Sequence, residues 1–323
     1  MGSNKQKKIK SAWHGKAYNF WGDYLWAKYG TRVLKLPINA GLSCPNRDGT
    51  ISRGGCVFCG EEGSASPTAS GIPDITEQME NARNSFKRSD AATKYIAYFQ
   101  AFTNTYAPVP ALKELYDKAV SAKDITGLMI ATRPDCITGD ILDLLSGYQK
   151  PGFELWLELG MQTMHDKSLT FLNRGHTHRD TVNAIQAAAE KNIPVCVHII
   201  LGIPGESWRE MMDTAEEISS LPVSGVKFHQ LHVIKGTRLA DLYNDKIMTA
   251  VGFRDYVSAI TDFIERLRPD ILIHRLIGDR DEKSLIAPKW ALDKGTVVKA
   301  IEDEFAKRCT YQGFLTAPAG YKK

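Results

Sequence analysis

Three cysteines, Cys44, Cys56 and Cys59, lie in one short polar loop that follows a strand-like segment. A structural zinc site needs four cysteine or histidine ligands in tetrahedral geometry. Neither a histidine nor a fourth cysteine occurs between Gly30 and Lys94. An iron–sulfur cubane held by three thiolates leaves one iron without a protein ligand, and that iron can bind a substrate or cofactor. The loop therefore predicts a reactive iron–sulfur site.

A zinc knuckle is the alternative interpretation of the same cysteines. Its fourth ligand would have to come from a distant part of the chain, from Cys136 or Cys196. Such a site would stabilise an RNA-binding module that has no catalytic activity.

Composition and charge narrow the class of protein. The 323 residues are 43% hydrophobic, which is typical of a globular protein with a large core. No apolar run reaches the roughly 18 residues of a membrane helix, and the N-terminus lacks a signal-peptide pattern. We therefore expect a cytoplasmic location, no membrane partner, and cysteines that are reduced or metal-bound.

The positive charge is concentrated at the two ends of the chain. Residues 1–17 carry five lysines and no acidic residue, and residues 283–323 carry a net charge of +4. Since the whole chain carries +4, the middle is acidic. Two basic ends could bind a polyanion such as RNA, although charge alone favours the simpler interpretation of solvated tails.

Strand-like and helix-like segments alternate through the middle of the chain. Apolar, β-branched and aromatic residues predict strands at 32–36, 95–102, 127–132, 154–159, 195–201, 226–233 and 271–274. Helices are predicted at 75–86, 111–121, 140–146, 179–191, 208–220 and 253–267. Repeated β-then-α units imply a parallel sheet with right-handed crossovers. Six or seven such units predict an α/β fold, a partial TIM-like (β/α)6 barrel, over an open Rossmann sheet.

Three parts are predicted along the chain. A basic, aromatic-rich and helical extension covers residues 1–30, the barrel covers 31–280, and a C-terminal helix at 288–308 and a tail fill 281–323. Barrel enzymes place their chemistry in the loops that follow the strands. The cysteine loop follows the first predicted strand, which agrees with a catalytic role.

The cysteine loop also carries a family resemblance. The run Cys56-Val57-Phe58-Cys59 resembles the CxΦC half of the radical S-adenosylmethionine (SAM) signature CxxxCxΦC, but eleven residues separate Cys44 from Cys56. With the preceding run YGTRVLKLPINAGLSCPNRDGT, it resembles the YtqA/YhcC-type radical SAM proteins, which are related to the elongator-type enzymes. The resemblance covers residues 15–312.

The resemblance implies a fold, cofactors and a reaction. It implies a radical SAM barrel with a [4Fe–4S] cluster on Cys44, Cys56 and Cys59, and SAM bound to the open iron. An electron donor such as flavodoxin or ferredoxin would reduce the cluster, and a 5′-deoxyadenosyl radical would abstract hydrogen from the substrate. The implied substrate is the wobble uridine of tRNA, whose carboxymethylaminomethyl group would become aminomethyl. A radical SAM enzyme with a small-molecule substrate is the alternative within the same chemistry.

The resemblance also implies SAM contacts. It places Phe58 near the adenine, Gln100 and Thr103 at the amino group, and Glu158 and Gln162 in the SAM pocket. Gln100 and Thr103 stand where related enzymes often carry glycines. The alternatives are a loop-anchoring aromatic side chain for Phe58 and an internal hydrogen-bond network for the buried polar residues.

Three further SAM contacts follow from later motifs. Arg174 would pair with the SAM carboxylate, His198 would reach the ribose, and Gly202 would shape the adenine side. A surface salt bridge, a core histidine and a plain turn are the corresponding structural alternatives.

Other polar residues have no assigned role. Alternation along the sixth strand puts Lys227 and His229 on one face and Gln230 and His232 on the other, without deciding which face points into the barrel, and Arg275 follows the seventh strand.

Overall fold

The computed structural model describes residues 13–316, apart from residues 62, 64, 65, 67, 70 and 87–93. The predictions for residues 1–12 and 317–323 lie outside this part of the chain. Within it, no helix is long and apolar enough to cross a lipid bilayer.

A curled parallel sheet of seven strands forms the centre of the fold. The nine strands of the described chain are β1 Val33–Ile38, β2 Lys94–Phe99, β3 Ile125–Thr132, β4 Glu154–Gln162, β5 Val195–Leu201, β6 Gly225–Gln230, β7 Val233–Ile234, β8 Leu272–Arg275 and β9 Leu285–Ala287. The large sheet has the order β1-β2-β3-β4-β5-β6-β8, and β7 pairs with β9 in a separate antiparallel sheet. The predicted partial TIM-like barrel is confirmed, with a seventh parallel strand.

Helices follow the strands and cover the outside of the sheet. They are α1 Trp21–Tyr29, α2 Ile75–Ser85, α3 Val109–Val120, α4 Gly139–Ser146, α5 Asp166–Phe171, α6 His178–Glu190, α7 Trp208–Ser220, α8 Arg238–Asn244, α9 Phe253–Arg266 and α10 Lys294–Arg308. Local sequence fixes several of their starts. Thr177 and Ser207, for example, form capping boxes that begin α6 and α7.

The structure differs from the predicted elements in three places. Strand β2 ends at Phe99 because Phe102, just beyond it, has a left-handed φ of 60° that no strand accommodates. Strand β6 ends at Gln230, where the chain leaves the large sheet to form β7. The prediction of one strand over 226–233 is therefore wrong at its end. The short helices α5 and α8 were not predicted.

The N-terminal segment closes the end of the barrel where the strands begin. The ring of Trp21 stacks on His274 at a centroid distance of 4.6 Å and meets Trp156 edge-on at 6.5 Å. Helix α1 contacts both edge strands, β1 and β8. Asn19 extends this contact, since its carbonyl accepts a hydrogen bond of 2.7 Å from the N–H of Ile273. The opposite end, where the strands finish, stays available for a site.

Replacing the closing tryptophan should destabilise the barrel. Trp21 is 6% exposed, whereas Trp26 on the same helix is 54% exposed. We expect Trp21→Ala to lower the free energy of unfolding by about 3–5 kcal/mol, because it opens a cavity among aromatic rings. Trp26→Ala, the matched control, should change it by no more than about 0.5 kcal/mol. Urea unfolding followed by circular dichroism measures both, and equal effects would contradict the closing role of Trp21.

Candidate active site

The loop after β1 folds back on itself. Its spacer, residues 45–55, forms a small hairpin in which Asp48 and Arg53 pair as an isolated antiparallel bridge. The N–H of Gly55 donates to the carbonyl of Asn46 at 2.8 Å and closes the base of the hairpin. Because these eleven residues fold into a hairpin, Cys44 and Cys56 lie closer together than an extended spacer would place them.

Two asparagines hold this hairpin against the segment that follows α5. Asn46 is fully buried; its amide donates to the carbonyl of Asn173, and its oxygen accepts from the Ser52 hydroxyl at 2.9 Å. The amide of Asn173 donates to the carbonyl of Gly55 at 2.8 Å. Gly175 has a φ of +71°, and a Cβ there would lie 2.8 Å from the Asn46 oxygen, so glycine is required.

The three cysteines line one cavity. Cys56 is buried, and Cys44 and Cys59 are half-buried. A guanidinium nitrogen of Arg174 lies 3.2 Å from the sulfur of Cys56, and one of Arg47 lies 3.6 Å from that of Cys59. Burial and the two neighbouring cysteines raise the pKa of Cys59, and Arg47 opposes them. Arg47 thus offsets part of the effect of burial on Cys59, whose thiolate is the form that binds metal.

The position of Cys196 bears on the zinc alternative. Cys196 belongs to a buried group with Glu158 and His274 in the barrel interior, and it does not line the cavity that Cys44, Cys56 and Cys59 share. It is therefore not placed to complete a tetrahedral zinc site with them.

The cavity lies at the carboxyl ends of the strands and has a volume of about 890 Å³. That volume is within the range of roughly 300–1,000 Å³ that is common for small-molecule sites. Six of the eight residues predicted to contact SAM line it: Phe58, Gln100, Thr103, Gln162, Arg174 and His198. Glu158 and Gly202 do not line it.

Three cavity residues, Thr103, Arg133 and Arg275, carry buried polar atoms that lack a partner among the described residues. The hydroxyl of the fully buried Thr103 has none. Arg133 pairs with Asp135 through Nε and Nη2, at 2.9 and 2.8 Å, but its buried Nη1 has none. Buried polar groups cost free energy unless a partner satisfies them. These atoms therefore fit a polar ligand such as SAM.

The backbone around the cavity is strained at two lining residues. Phe102 and Gln162 have φ angles of 60° and 68°, which are unusual for residues other than glycine. Strain of this kind persists where the surrounding structure imposes it, and it collects at ligand sites. Both residues follow or end strands at the open end of the barrel.

Arg174 is engaged by protein groups on all three nitrogens. Besides its contact with Cys56, it donates from Nη2 to the carbonyl of Gly160 at 3.0 Å and from Nε to His176 at 3.2 Å. A Cβ at Gly160 would lie 2.7 Å from Nη2, so the glycine permits this approach. Arg174 thus braces the cysteine loop against β4, while Arg133 offers a guanidinium nitrogen without a partner in the described chain.

Glu158 lies below the cavity and organises its floor. The carboxylate is fully buried, and the Tyr98 hydroxyl and His198 Nε2 each lie 2.7 Å from one of its oxygens. The Lys227 ammonium lies 2.9 Å from the same oxygen, and the Lys35 ammonium lies 3.2 Å from the other. One carboxylate thereby positions four side chains from four strands, of which Tyr98, His198 and Lys227 line the cavity.

Burial and charge set the protonation of this group. Burial alone would raise the pKa of Glu158, but Lys227, Lys35 and His198 hold it well below its usual range. Burial lowers the pKa of Lys227 to about 7, against the attraction of Glu158. Burial, together with Lys227, lowers the pKa of His198 to about 4, so its ring is neutral at physiological pH.

Gly202 lies behind the cavity wall. Its φ is +80°, and a Cβ would lie 2.6 Å from the Cβ of Val251, so only glycine fits. The neighbouring Ile200 lines the cavity instead, in an apolar group with Leu231 and the half-buried Phe58.

Several residues of the cavity and of the network beneath it were not assigned from the sequence. The sequence could have marked Lys35 as a paired residue, because a charge in an otherwise apolar strand needs a counter-ion. Its partner Glu158 is 123 positions away, so the pairing could not be read from local pattern. Alternation along β6 did not decide which face points inward. Lys227 and His229 line the cavity from the strand, and Gln230 and His232 join them where it ends.

Comparison with known proteins identifies the family. The model of the radical SAM superfamily matches residues 46–218, and that of the radical SAM C-terminal domain matches residues 223–307. The chain belongs to the radical SAM superfamily. The cofactors of this enzyme family are a [4Fe–4S] cluster and SAM.

Relatives of this radical SAM protein match it along almost its whole length. YtqA of Bacillus subtilis is 37% identical over 298 residues, with 92% of each chain covered. YhcC of Escherichia coli K12 is 40% identical over 281 residues, which cover 87% of this chain and 90% of YhcC. MJ0486 of Methanocaldococcus jannaschii is 39% identical over 315 residues, with 95% of each covered.

Solved structures share the fold. Elp3 of Methanocaldococcus infernus superposes with a TM-score of 0.63 at 15% identity, covering 87% of this chain and 64% of Elp3. Methylornithine synthase PylB superposes with a TM-score of 0.51 at 14% identity, covering 96% of this chain and 87% of PylB.

Part of the chain is also similar in sequence to a further protein. A tRNA uridine(34) acetyltransferase of Methanocaldococcus jannaschii is 34% identical over 120 residues, which are 36% of this chain and 21% of that protein.

Neutralising the buried carboxylate should destabilise the protein in a pH-dependent way. We expect Glu158→Gln to lower the free energy of unfolding by about 3–5 kcal/mol near neutral pH, because the buried Lys227 and the half-buried Lys35 lose their counter-ion. The carboxylate contributes fully above its ordinary pKa of 4.5, and this contribution falls as the pH drops toward its lower value in the fold.

Denaturant unfolding between pH 3.5 and 7.5 measures the difference in the free energy of unfolding between the wild type and Glu158→Gln. This difference should be largest between about pH 5 and 7, where Glu158 is ionised and Lys227 is protonated, and should narrow below pH 4.5. Glu80→Gln, at an exposed position of α2, is the matched control and should have little effect. A difference that stays constant with pH would contradict the charge network.

Proposed function

We propose that Cys44, Cys56 and Cys59 hold a [4Fe–4S] cluster whose open iron binds SAM, and that the enzyme acts on the wobble uridine of tRNA. The observation that carries the first part is the hairpin at residues 45–55, which delivers the three cysteines to one cavity despite their unusual spacing. When bound, the cluster and SAM supply the 5′-deoxyadenosyl radical that takes hydrogen from a substrate.

The residues of the chain would bind and orient the cofactors. Thr103 and Arg133 present to the cavity donors that have no partner in the described part of the chain, and these suit the polar end of SAM. Phe58, with Ile200 and Leu231 behind it, provides an apolar wall suited to the adenine ring. Arg174 and Arg47 would lie beside the sulfurs of Cys56 and Cys59 and donate to them when the cluster is bound.

The tRNA assignment rests on relatives and on charge. Part of the chain is similar to a tRNA uridine(34) acetyltransferase, and the fold is that of archaeal Elp3. The cavity carries the side chains of Arg47, Arg133, Arg174, Lys227, Arg275 and Arg280 against two exposed aspartates at its mouth. A uridine turned out of the anticodon loop could enter this cavity, as bases do in other modifying enzymes.

The reaction we propose removes a carboxymethyl unit. Hydrogen would be taken from the methylene beside the carboxylate; loss of a proton and of one further electron, returned to the [4Fe–4S] cluster, would give an imine, and water would hydrolyse this imine to the aminomethyl group and glyoxylate. The enzyme would work in the cytoplasm, where tRNA and a flavodoxin or ferredoxin donor are present.

The cofactor assignment predicts a sharp difference between cysteine variants. After anaerobic reconstitution, the wild type should bind about four iron atoms per chain and form 5′-deoxyadenosine from SAM and dithionite. Cys59→Ala should lose both, because a thiolate ligand is removed. Cys309→Ala, at an exposed cysteine that ends α10, should keep both. An intact cluster without 5′-deoxyadenosine, or iron binding that survives Cys59→Ala, would refute the assignment.

The substrate assignment is tested in cells. Transfer RNA from a strain without this gene should accumulate the carboxymethylaminomethyl nucleoside at the wobble position, and the intact gene should restore the aminomethyl nucleoside. Mass spectrometry of digested tRNA measures both. Unchanged wobble nucleosides, with no salt-sensitive binding of tRNA in gel shifts, would favour a small-molecule substrate instead.

A further inference from the structure

Strands β6 and β8 bring a second polar group to the cavity, apart from the cysteine loop. Arg275 is the last residue of β8 and is the register partner of Lys227 on β6. Both side chains line the cavity, as does His229 two residues further along β6. Gly278 lets the following chain come close, because a Cβ there would lie 2.9 Å from Nδ1 of His229.

The charge of Arg275 has no carboxylate partner among the described residues. Its Nη2 lies 2.8 Å from Nδ1 of His229, and its Nε is buried without a hydrogen-bond partner in that part of the chain. Burial and Arg275 itself keep the pKa of His229 well below its usual range, so the ring is neutral. A neutral ring can accept a hydrogen bond from the guanidinium, but it does not balance the charge.

The nearby acidic side chains are engaged elsewhere. Glu158 is shared between Lys227 and Lys35. At the cavity mouth, Asp279 pairs with Lys294. The other mouth carboxylate, Asp281, accepts the N–H of Ser284 at 2.9 Å and also its hydroxyl. Asp281 keeps its charge but is exposed at the mouth, so positive charge is in excess beside Arg275 on this wall of the cavity. A half-buried charge without a counter-ion costs free energy that an anion in the cavity would recover.

We propose that Arg275, with Lys227 and His229 beside it, forms a carboxylate-binding subsite for the carboxymethyl end of the substrate side chain. This assignment rests on the proposed function. A guanidinium presents parallel N–H donors that match a carboxylate, and charge-assisted pairs of this kind are strong when they are shielded from water. Lys227 adds a second donor from the neighbouring strand.

The subsite would also discriminate substrate from product. The carboxymethylaminomethyl side chain carries a carboxylate, whereas the aminomethyl product carries only an amine, which is protonated at neutral pH. The same wall of the cavity would attract the first and repel the second. Loss of the carboxymethyl unit would therefore weaken binding and favour release.

Binding of two nucleosides to the reconstituted full-length enzyme tests this inference. The probes are 5-carboxymethylaminomethyluridine and 5-aminomethyluridine, with dissociation constants measured by calorimetry in the presence of SAM and without reductant. We expect the wild type to bind the carboxylated nucleoside about 10- to 100-fold more tightly. Equal affinities, or no binding of the carboxylated nucleoside, would overturn the subsite without any variant being needed.

Variants locate the preference on Arg275. Arg275→Gln should remove most of the 10- to 100-fold preference, and Arg275→Lys should keep part of it because the charge remains while the paired donors are lost. Arg254→Gln, at an exposed position of α9 outside the cavity, makes the same charge change and should leave the preference intact. Melting temperature and iron content report whether each variant is folded and loaded.

The outcomes separate this inference from the proposed function. If the wild type shows the preference, Arg275→Gln loses it, and wobble nucleosides in cells are nevertheless unchanged, the subsite stands and the substrate assignment fails. If the tRNA is modified but Arg275→Gln has the KM and the nucleoside preference of the wild type, the function stands and the subsite is refuted.

Discussion

The geometry of the candidate active site depends on one local constraint, the closure of the hairpin between Cys44 and Cys56. An eleven-residue spacer could place the first cysteine far from the other two. The Asp48–Arg53 bridge closes the hairpin, and the buried amide of Asn46 ties it to the segment after α5. The cysteines therefore meet at the open end of the barrel, where the remaining strands deliver the polar groups of the cavity.

The barrel adds a second constraint, which is electrostatic. A fully buried carboxylate, Glu158, is stable only because Lys35, Lys227, His198 and Tyr98 surround it. Since these side chains come from β1, β6, β5 and β2, the interaction links four strands through the interior. It also fixes Lys227 beside Arg275, and this places a positively charged wall across β6 and β8.

Much of the fold could be predicted from local pattern. The strand over 195–201 and the helix over 208–220 agree with β5 and α7 at both ends, because a buried apolar run and a capping box mark them. The end of β6 was misjudged, since Val233 continues the apolar pattern while pairing in a different sheet. The hydrophobic period and the residue composition of a segment do not determine which strand it will pair with.

The site was predictable in its residue types and less so in its geometry. Three cysteines without a fourth ligand indicated an open cluster, and six of the proposed SAM contacts line the cavity. Glu158 lies beneath it, and its partners are 40 or more positions away, beyond any local signal. The hairpin could not be foreseen either, because it contains a single bridge pair and few apolar residues.

Electron–nuclear double resonance on the reduced, reconstituted enzyme, with SAM labelled by ¹⁵N in its amino group, shows directly whether SAM binds the open iron of the cluster. If three cysteines hold a cluster with an open iron, the spectrum should show hyperfine coupling between the cluster and the labelled nitrogen. A reduced cluster without that coupling, in a sample shown by equilibrium dialysis to hold bound SAM, would contradict an open iron that binds SAM.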